Sequence, residues 1–244
     1  MYRWVRQGVL PAVKIGGAYV VDLAAIDALS EARMQPAPPP PRRQVRDWEV
    51  YADRLHASLC SGDELGARQV LEDLGTSGIS LCAICDNVVV PALIQVGQQW
   101  HDGELSIAEE HRASAICERL LGRLGISPPG RPRGVCVVCA APGDEHQLPA
   151  HMATAVLRED HWRVHHLGSG VPDTDIVALA AAEDADLVVV SVTWPPATSE
   201  GHALADLLAQ AGRRSLVGRP GQGLTDLVAL ARAATNEGRP GRPA

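Results

Sequence analysis

The hydrophobic positions fall into two regimes. From residue 47 to 126 they recur every three or four residues, the period of an amphipathic helix. From 134 to about 235, short unbroken apolar runs alternate with helical segments. In the first regime DWEVYADRLHASLC and DELGARQVLEDLG read as two helices. The run from Ser80 to about Asp102 reads as a third, interrupted by Pro91, and SIAEEHRASAICERLLGRLG as a fourth. Ser106 and Glu109 have the S-x-x-E spacing of a capping box, in which each side chain satisfies the other's backbone N–H. Gly103 suits the end of the third helix. Four helices with short connections predict a small antiparallel bundle.

In the second regime GVCVVCAAP, WRVHHLGS, DLVVVSVT and RRSLVGRPG read as strands. The helices LPAHMATAVLRED, DTDIVALAAAEDA, EGHALADLLAQAG and LTDLVALARAAT follow them in turn. This alternation predicts an α/β fold with a doubly wound parallel sheet. Such sheets bind ligands beyond the carboxyl ends of their strands. The loops GDEHQLP, GSGVP, SVTWPP and GRPGQG are therefore where chemistry is expected.

Upstream, LPAVKIGGAYVV reads as two short strands around Gly16-Gly17, and DLAAIDALSEAR as a helix with an acidic start. PAPPPPRRQ is an extended, semi-rigid linker. The expected organisation is residues 1–34, a linker at 35–46, a bundle at 47–126, an α/β domain at 127–236 and a tail at 237–244.

A length of 244 residues with 46% hydrophobic content permits these units to have real cores. No apolar run approaches 18 residues and the N-terminus lacks a signal-peptide core, so a cytoplasmic protein without a membrane span is expected. The net charge of -7 hides an asymmetry. Residues 1–46 carry seven basic and three acidic side chains, so a basic arm precedes an acidic body. That is compatible with nucleic-acid contact at one end only. Two C-x-x-C pairs raise a zinc site. Cys82 and Cys85 fall within a helical run, however. Cys136 and Cys139 fall within a strand, where positions three apart face opposite ways. Reduced core thiols are expected.

Asp144 and His146 lie two apart on the loop after the first sheet strand. A carboxylate beside an imidazole fixes the tautomer of a metal-binding histidine, but the same pair also reads as solvated surface. Ser191 and Thr193 end the third strand, where hydroxyls bond either a buried ligand or local backbone. Gly218 ends the fourth and lets a ligand approach the backbone.

Together, Asp144-Glu145-His146-Gln147-Leu148-Pro149, Ser191-Val192-Thr193 and Gly218-Arg219 resemble the pattern of the cobalamin-binding domain: D-x-H-x-x-G, S-x-L or S-x-T, and G-G. The resemblance implies a Rossmann-like domain in which His146 is the lower cobalt ligand, supported by Asp144. Ser191, Thr193 and Gly218 would line the slot for the displaced nucleotide tail. Pro149 and Arg219 depart from the pattern, and a degenerate, non-binding relative would carry such changes.

Within the bundle, Trp100, Glu110 and His111 stand in the spacing W-x9-E-H. By pattern alone they also read as a core Trp and two solvated residues of a first helical turn. The spacing resembles the helical cap of CarH-type B12-dependent photoreceptors, regulators with a MerR-like DNA-binding domain. That likeness implies adenosylcobalamin as cofactor, with Trp100, Glu110 and His111 around the adenosyl group. His101 would take the upper cobalt position after photolysis, and the homo-oligomer would change on illumination. Residues 1–34 resemble the end of an excisionase/MerR winged helix, from the tail of a recognition helix (Tyr2 to Gly8) through the wing. Arg3, Arg6 and Lys14 would then touch DNA, a partner expected of the full-length protein and left open for this chain. The reading is a light-responsive regulator, not an enzyme. The alternative is a corrinoid methyl carrier serving methyltransferases.

Overall fold

The computed structural model describes residues 12–15, 18–21 and 47–236. Strands β1 (Ala12–Ile15) and β2 (Ala18–Val21) pair antiparallel, with Ile15 opposite Ala18. This is the hairpin expected around Gly16-Gly17. Lys14 lies on β1. Arg3, Arg6, the recognition-helix tail, the helix after the hairpin and the Pro-rich linker lie outside the described residues.

Four helices follow: α1 (Trp48–Ser61), α2 (Glu64–Thr76), α3 (Leu81–His101) and α4 (Ile107–Leu124). Local chemistry sets their ends. The Asp63 carboxylate accepts the Gly66 N–H at 2.9 Å to start α2. Ser106 and Glu109 form the expected capping box. Gly103 takes a left-handed φ of +77° just past α3, a conformation L side chains rarely adopt.

The expected interruption at Pro91 is not a break. Cys85–Val89 form a π turn in which the Val90 N–H reaches back to the Cys85 carbonyl. Proline has no N–H to give, and its ring crowds the carbonyl four residues earlier. A wider turn just upstream relieves both problems, so the helix continues to His101. By length and composition α3 could cross a membrane. Its Ile84, Cys85, Val88, Val89, Ala92 and Val96 are instead buried in the protein core.

The sheet holds β3 (Val135–Ala140), β4 (Arg163–Gly168), β5 (Leu187–Ser191) and β6 (Ser215–Val217), in the order β4-β3-β5-β6. All pairings are parallel. The crossovers contain α5 (Leu148–Glu159), α6 (Asp173–Ala182) and α7 (Thr198–Gln210), and α8 (Leu224–Asn236) closes the set. The chain leaves β3 toward one edge and returns to β5 on its other side, so the order reverses between these two strands.

One core joins the bundle to a face of the sheet: Leu55, Ile84 and Ile116 share it with Val138, Leu157 and Trp162. The other face packs Val137, Val188 and Val190 against Ile176, Leu204 and Leu208 of α6 and α7. Burial on both faces explains the unbroken apolar strands. Cys136 and Cys139 belong to opposite cores, as strand alternation requires, and all six cysteines are free. At Gly125 a Cβ would lie 2.6 Å from the Ala155 Cα, so only glycine lets the end of α4 back onto α5 this closely.

Candidate cofactor site

The loops after β3 and β5 meet where the strand order reverses, and one buried carboxylate joins them. Asp144 is 2% exposed. Its Oδ1 accepts His146 Nδ1 at 2.7 Å and the His146 backbone N–H at 3.1 Å. Its Oδ2 accepts the backbone N–H groups of Thr193 at 2.6 Å and Trp194 at 2.9 Å. Burial opposes ionisation, but these four bonds outweigh it and hold the Asp144 carboxyl below its ordinary range. A carboxylate acceptor requires the His146 proton on Nδ1 and leaves the Nε2 lone pair open. The His146 side chain is 59% exposed, and no described residue bonds its Nε2. The pair is therefore not the solvated surface couple that spacing alone allowed: the acid is buried and only the imidazole reaches out.

Thr193 enters through its backbone, not the hydroxyl singled out in the sequence. Ser191 pairs with Ala140 in the sheet, and its carbonyl accepts the Ala141 N–H at 2.8 Å. Gly218 lies beside it: a Cβ there would sit 3.7 Å from the Ser191 Cα and 3.4 Å from the Val190 carbonyl oxygen. These are ordinary contact distances, so the fold itself would tolerate a side chain. What glycine adds is open space against the end of β5. Pro149 occupies the first turn of α5, where its missing N–H costs nothing.

Trp100 and His101 end α3, and Glu110 and His111 lie in the first turn of α4, so all four share one end of the bundle. Trp100 is 47% exposed although it is among the largest apolar side chains. Glu110 Oε2 lies 2.7 Å from His111 Nδ1, and Glu110 Oε1 accepts the Ser114 hydroxyl at 2.7 Å. No hydrogen bond or ion pair between described residues links these four to Asp144 or His146.

Both halves match models described as the B12 binding domain, one over residues 51–124 and the other over 134–235. The chain belongs to the B12-binding proteins. It is 30% identical over 169 residues to the HTH-type transcriptional repressor CarH of Myxococcus xanthus, covering 69% of this chain and 56% of that protein. It is 29% identical over 176 residues to the repressor CarA of the same organism, covering 71% of this chain and 58% of that protein. The chain thus spans somewhat over half the length of these curated relatives. The Methanosarcina barkeri monomethylamine corrinoid protein shares the fold, with a TM-score of 0.59 at 15% identity over 76% of this chain and 98% of that one.

The residues present fit a B12 cofactor. A corrin ring already supplies four nitrogens to its cobalt, so the protein needs one oriented donor, not a cluster. Among the described residues no group of three or more His, Cys, Asp or Glu could hold a metal ion. His146 offers one nitrogen with its tautomer fixed by a buried acid. Gly218 keeps open the space against β5 that a side chain would fill.

Sequence reasoning missed two polar clusters of this B12-binding chain. His56 Nε2 lies 2.8 Å from Gln99 Oε1 and 3.3 Å from the Cys60 Sγ, which ties α1 to the last turn of α3 just before Trp100. Asp86, on the π turn, binds the start of α8. Its signal was available: an ionisable residue inside LCAICDNVVVPAL demands a partner.

Proposed function

We propose that this chain is the cofactor-binding part of an adenosylcobalamin-dependent, light-responsive regulator of transcription, working in the cytoplasm. The observation that carries the reading is the Asp144–His146 pair: a buried acid, four hydrogen bonds and an open imidazole nitrogen where the strand order reverses. His146 Nε2 would hold the cobalt. Asp144 holds its ring and retains the Nδ1 proton. Ser191, Thr193 and Gly218 border the slot for the nucleotide tail. Trp100 and the Glu110–His111 pair would line the bundle side of the cofactor, and His101 lies at the same end of α3 as Trp100. Bound adenosylcobalamin supplies a weak cobalt–carbon bond that visible light can break. His101, the one imidazole on α3, would be available to the cobalt were the adenosyl group lost, and Trp100 would then lose a packing partner. Such capture would bias α3 between two positions, which is what a switch requires. Kinship with HTH-type repressors supports DNA as the partner of the full-length protein, with Lys14, Arg3 and Arg6 on the DNA side, and a homo-oligomer as the responding form.

The test adds adenosylcobalamin in the dark and follows absorbance and size-exclusion elution before and after green light. A dark-state spectral shift, followed by a light-driven change in size, is expected. No change in either measurement refutes the photoreceptor reading. Tight methylcobalamin binding with no light-dependent size change would favour a methyl carrier. His146→Ala is expected to abolish the dark spectrum of the histidine-ligated form, and an unaltered spectrum removes His146 from cobalt.

A further inference from the structure

We propose that Asp86, a bundle residue remote in sequence from the cofactor loops, is a positioning residue for the nucleotide tail of the cofactor. The inference rests on the cobalamin reading above and adds a specificity element to it.

Asp86 lies on the π turn of α3. Its Oδ1 accepts the Leu224 backbone N–H at 2.7 Å, and its Oδ2 accepts the Thr225 N–H at 3.1 Å and the Thr225 hydroxyl at 2.7 Å. These N–H groups open α8 and have no partner within the helix. A carboxylate at that end also meets the positive end of the helix dipole. The cap of α8 is thus supplied by the bundle, 138 residues away in sequence.

The connection it anchors is the one that matters. Residues 218–223, GRPGQG, run from the end of β6 to α8 and contain three glycines. Glycine leaves such a loop little conformational preference of its own. One end is fixed, because the Gly218 N–H bonds the Val190 carbonyl at 2.8 Å beside Ser191. The internal bonds are short-range: Gln222 N–H to the Arg219 carbonyl at 3.0 Å, and Arg219 N–H to the Gln222 side chain at 3.2 Å. The other end is fixed by Asp86. The carboxylate therefore sets how far the loop stands from the end of β5, which is the width available to a tail beside Gly218. The π turn is what brings it there, since one extra residue per turn rotates Asp86 relative to the α3 segment that follows.

A role in the tail slot predicts discrimination between corrinoids with and without a tail. Wild-type protein, Asp86→Asn and Thr225→Val are titrated in the dark with adenosylcobalamin and with adenosylcobinamide, which lacks the phosphate and base. The absorbance change gives each Kd. Asp86→Asn is expected to raise the adenosylcobalamin Kd about tenfold while the cobinamide Kd moves less than twofold. Thr225→Val, which removes one of the three bonds, should shift the same ratio by about threefold. If Asp86→Asn does not fold, the ratio for Thr225→Val decides. Equal changes for both corrinoids, or none, overturn the positioning role and leave cobalamin binding intact. Wild-type protein that binds neither corrinoid overturns the cobalamin reading and this inference together.

Discussion

The sheet edge and the bundle end hold their functional side chains in opposite ways. At the sheet edge a 2% exposed carboxylate gathers two loops through four hydrogen bonds and presents a single imidazole. At the bundle end a half-exposed Trp100, an exposed His101 and a surface Glu110–His111 pair sit on two helix termini. A lower ligand must be in place before the cofactor arrives, so preorganisation there adds affinity. On the proposed reading, the bundle end would form a pocket that responds to losing its contents, a role suited to side chains that the core does not bury. His146 thus stands on a buried, hydrogen-bonded acid beside the sheet, and Trp100 and His101 stand exposed on a helix end.

The largest effect should come from breaking the sheet-edge pair. Asp144→Ala removes the acceptor of the Thr193 and Trp194 N–H groups and of His146, which costs about 3 kcal/mol in stability and lowers Tm by roughly 8 °C. It should also weaken cobalamin binding by about 10- to 100-fold through loss of the ring's orientation. Calorimetry and absorbance titration read the two effects separately, and an unchanged Kd would show that the acid does not orient the ligand. The pH dependence has a definite sign. The Asp144 carboxyl is held below its ordinary range, so its contribution is complete above the unfolded carboxylate pKa. That contribution is lost only as pH falls through the lower folded value.

Trp100→Ala tests the bundle end and should be milder in stability. A side chain 47% exposed adds little to the core, so the stability change should stay under about 1 kcal/mol. If Trp100 covers the adenosyl group, dark affinity for adenosylcobalamin falls about tenfold, equivalent to about 1.4 kcal/mol. Hydroxocobalamin affinity should move less than twofold. Equal losses for both cofactors would place Trp100 against the corrin instead.

The sequence displays these two halves unequally. Periodicity and caps located every sheet strand and bundle helix, because both signals are local: apolar spacing, Ser106 with Glu109, Gly103. The Asp144–His146 pair was legible as a spacing, but its burial was not, because the two N–H donors come from a loop 49 and 50 residues away. Thr193 was picked for its hydroxyl and acts through its backbone, which no side-chain pattern records. Pro91 was read as an interruption because proline forbids an α turn, whereas the helix accommodates it with a π turn. The Asp86 cap depends on how the bundle docks on α8, a tertiary fact that composition can only hint at through one acid in an apolar run.

A last prediction probes the sheet half alone, by pH. His166, on β4, sits against α5. Its ring centroid lies 4.2 Å from that of His151, and its Nδ1 lies 2.9 Å from the Thr154 hydroxyl. Burial, then the neighbouring His151 and Arg158, pushes its pKa down from 6.5 to about 4. Between these values the unfolded chain binds a proton that the folded chain refuses, so stability rises with pH across that window. The contribution is full above about 6.5 and fades as pH falls toward 4. For a half-buried ring it amounts to about 1–2 kcal/mol once solvent screening is allowed for. The urea midpoint of the wild type should fall between pH 7 and pH 4.5, and that of His166→Val should fall less. Parallel slopes would mean that the imidazole is freely solvated.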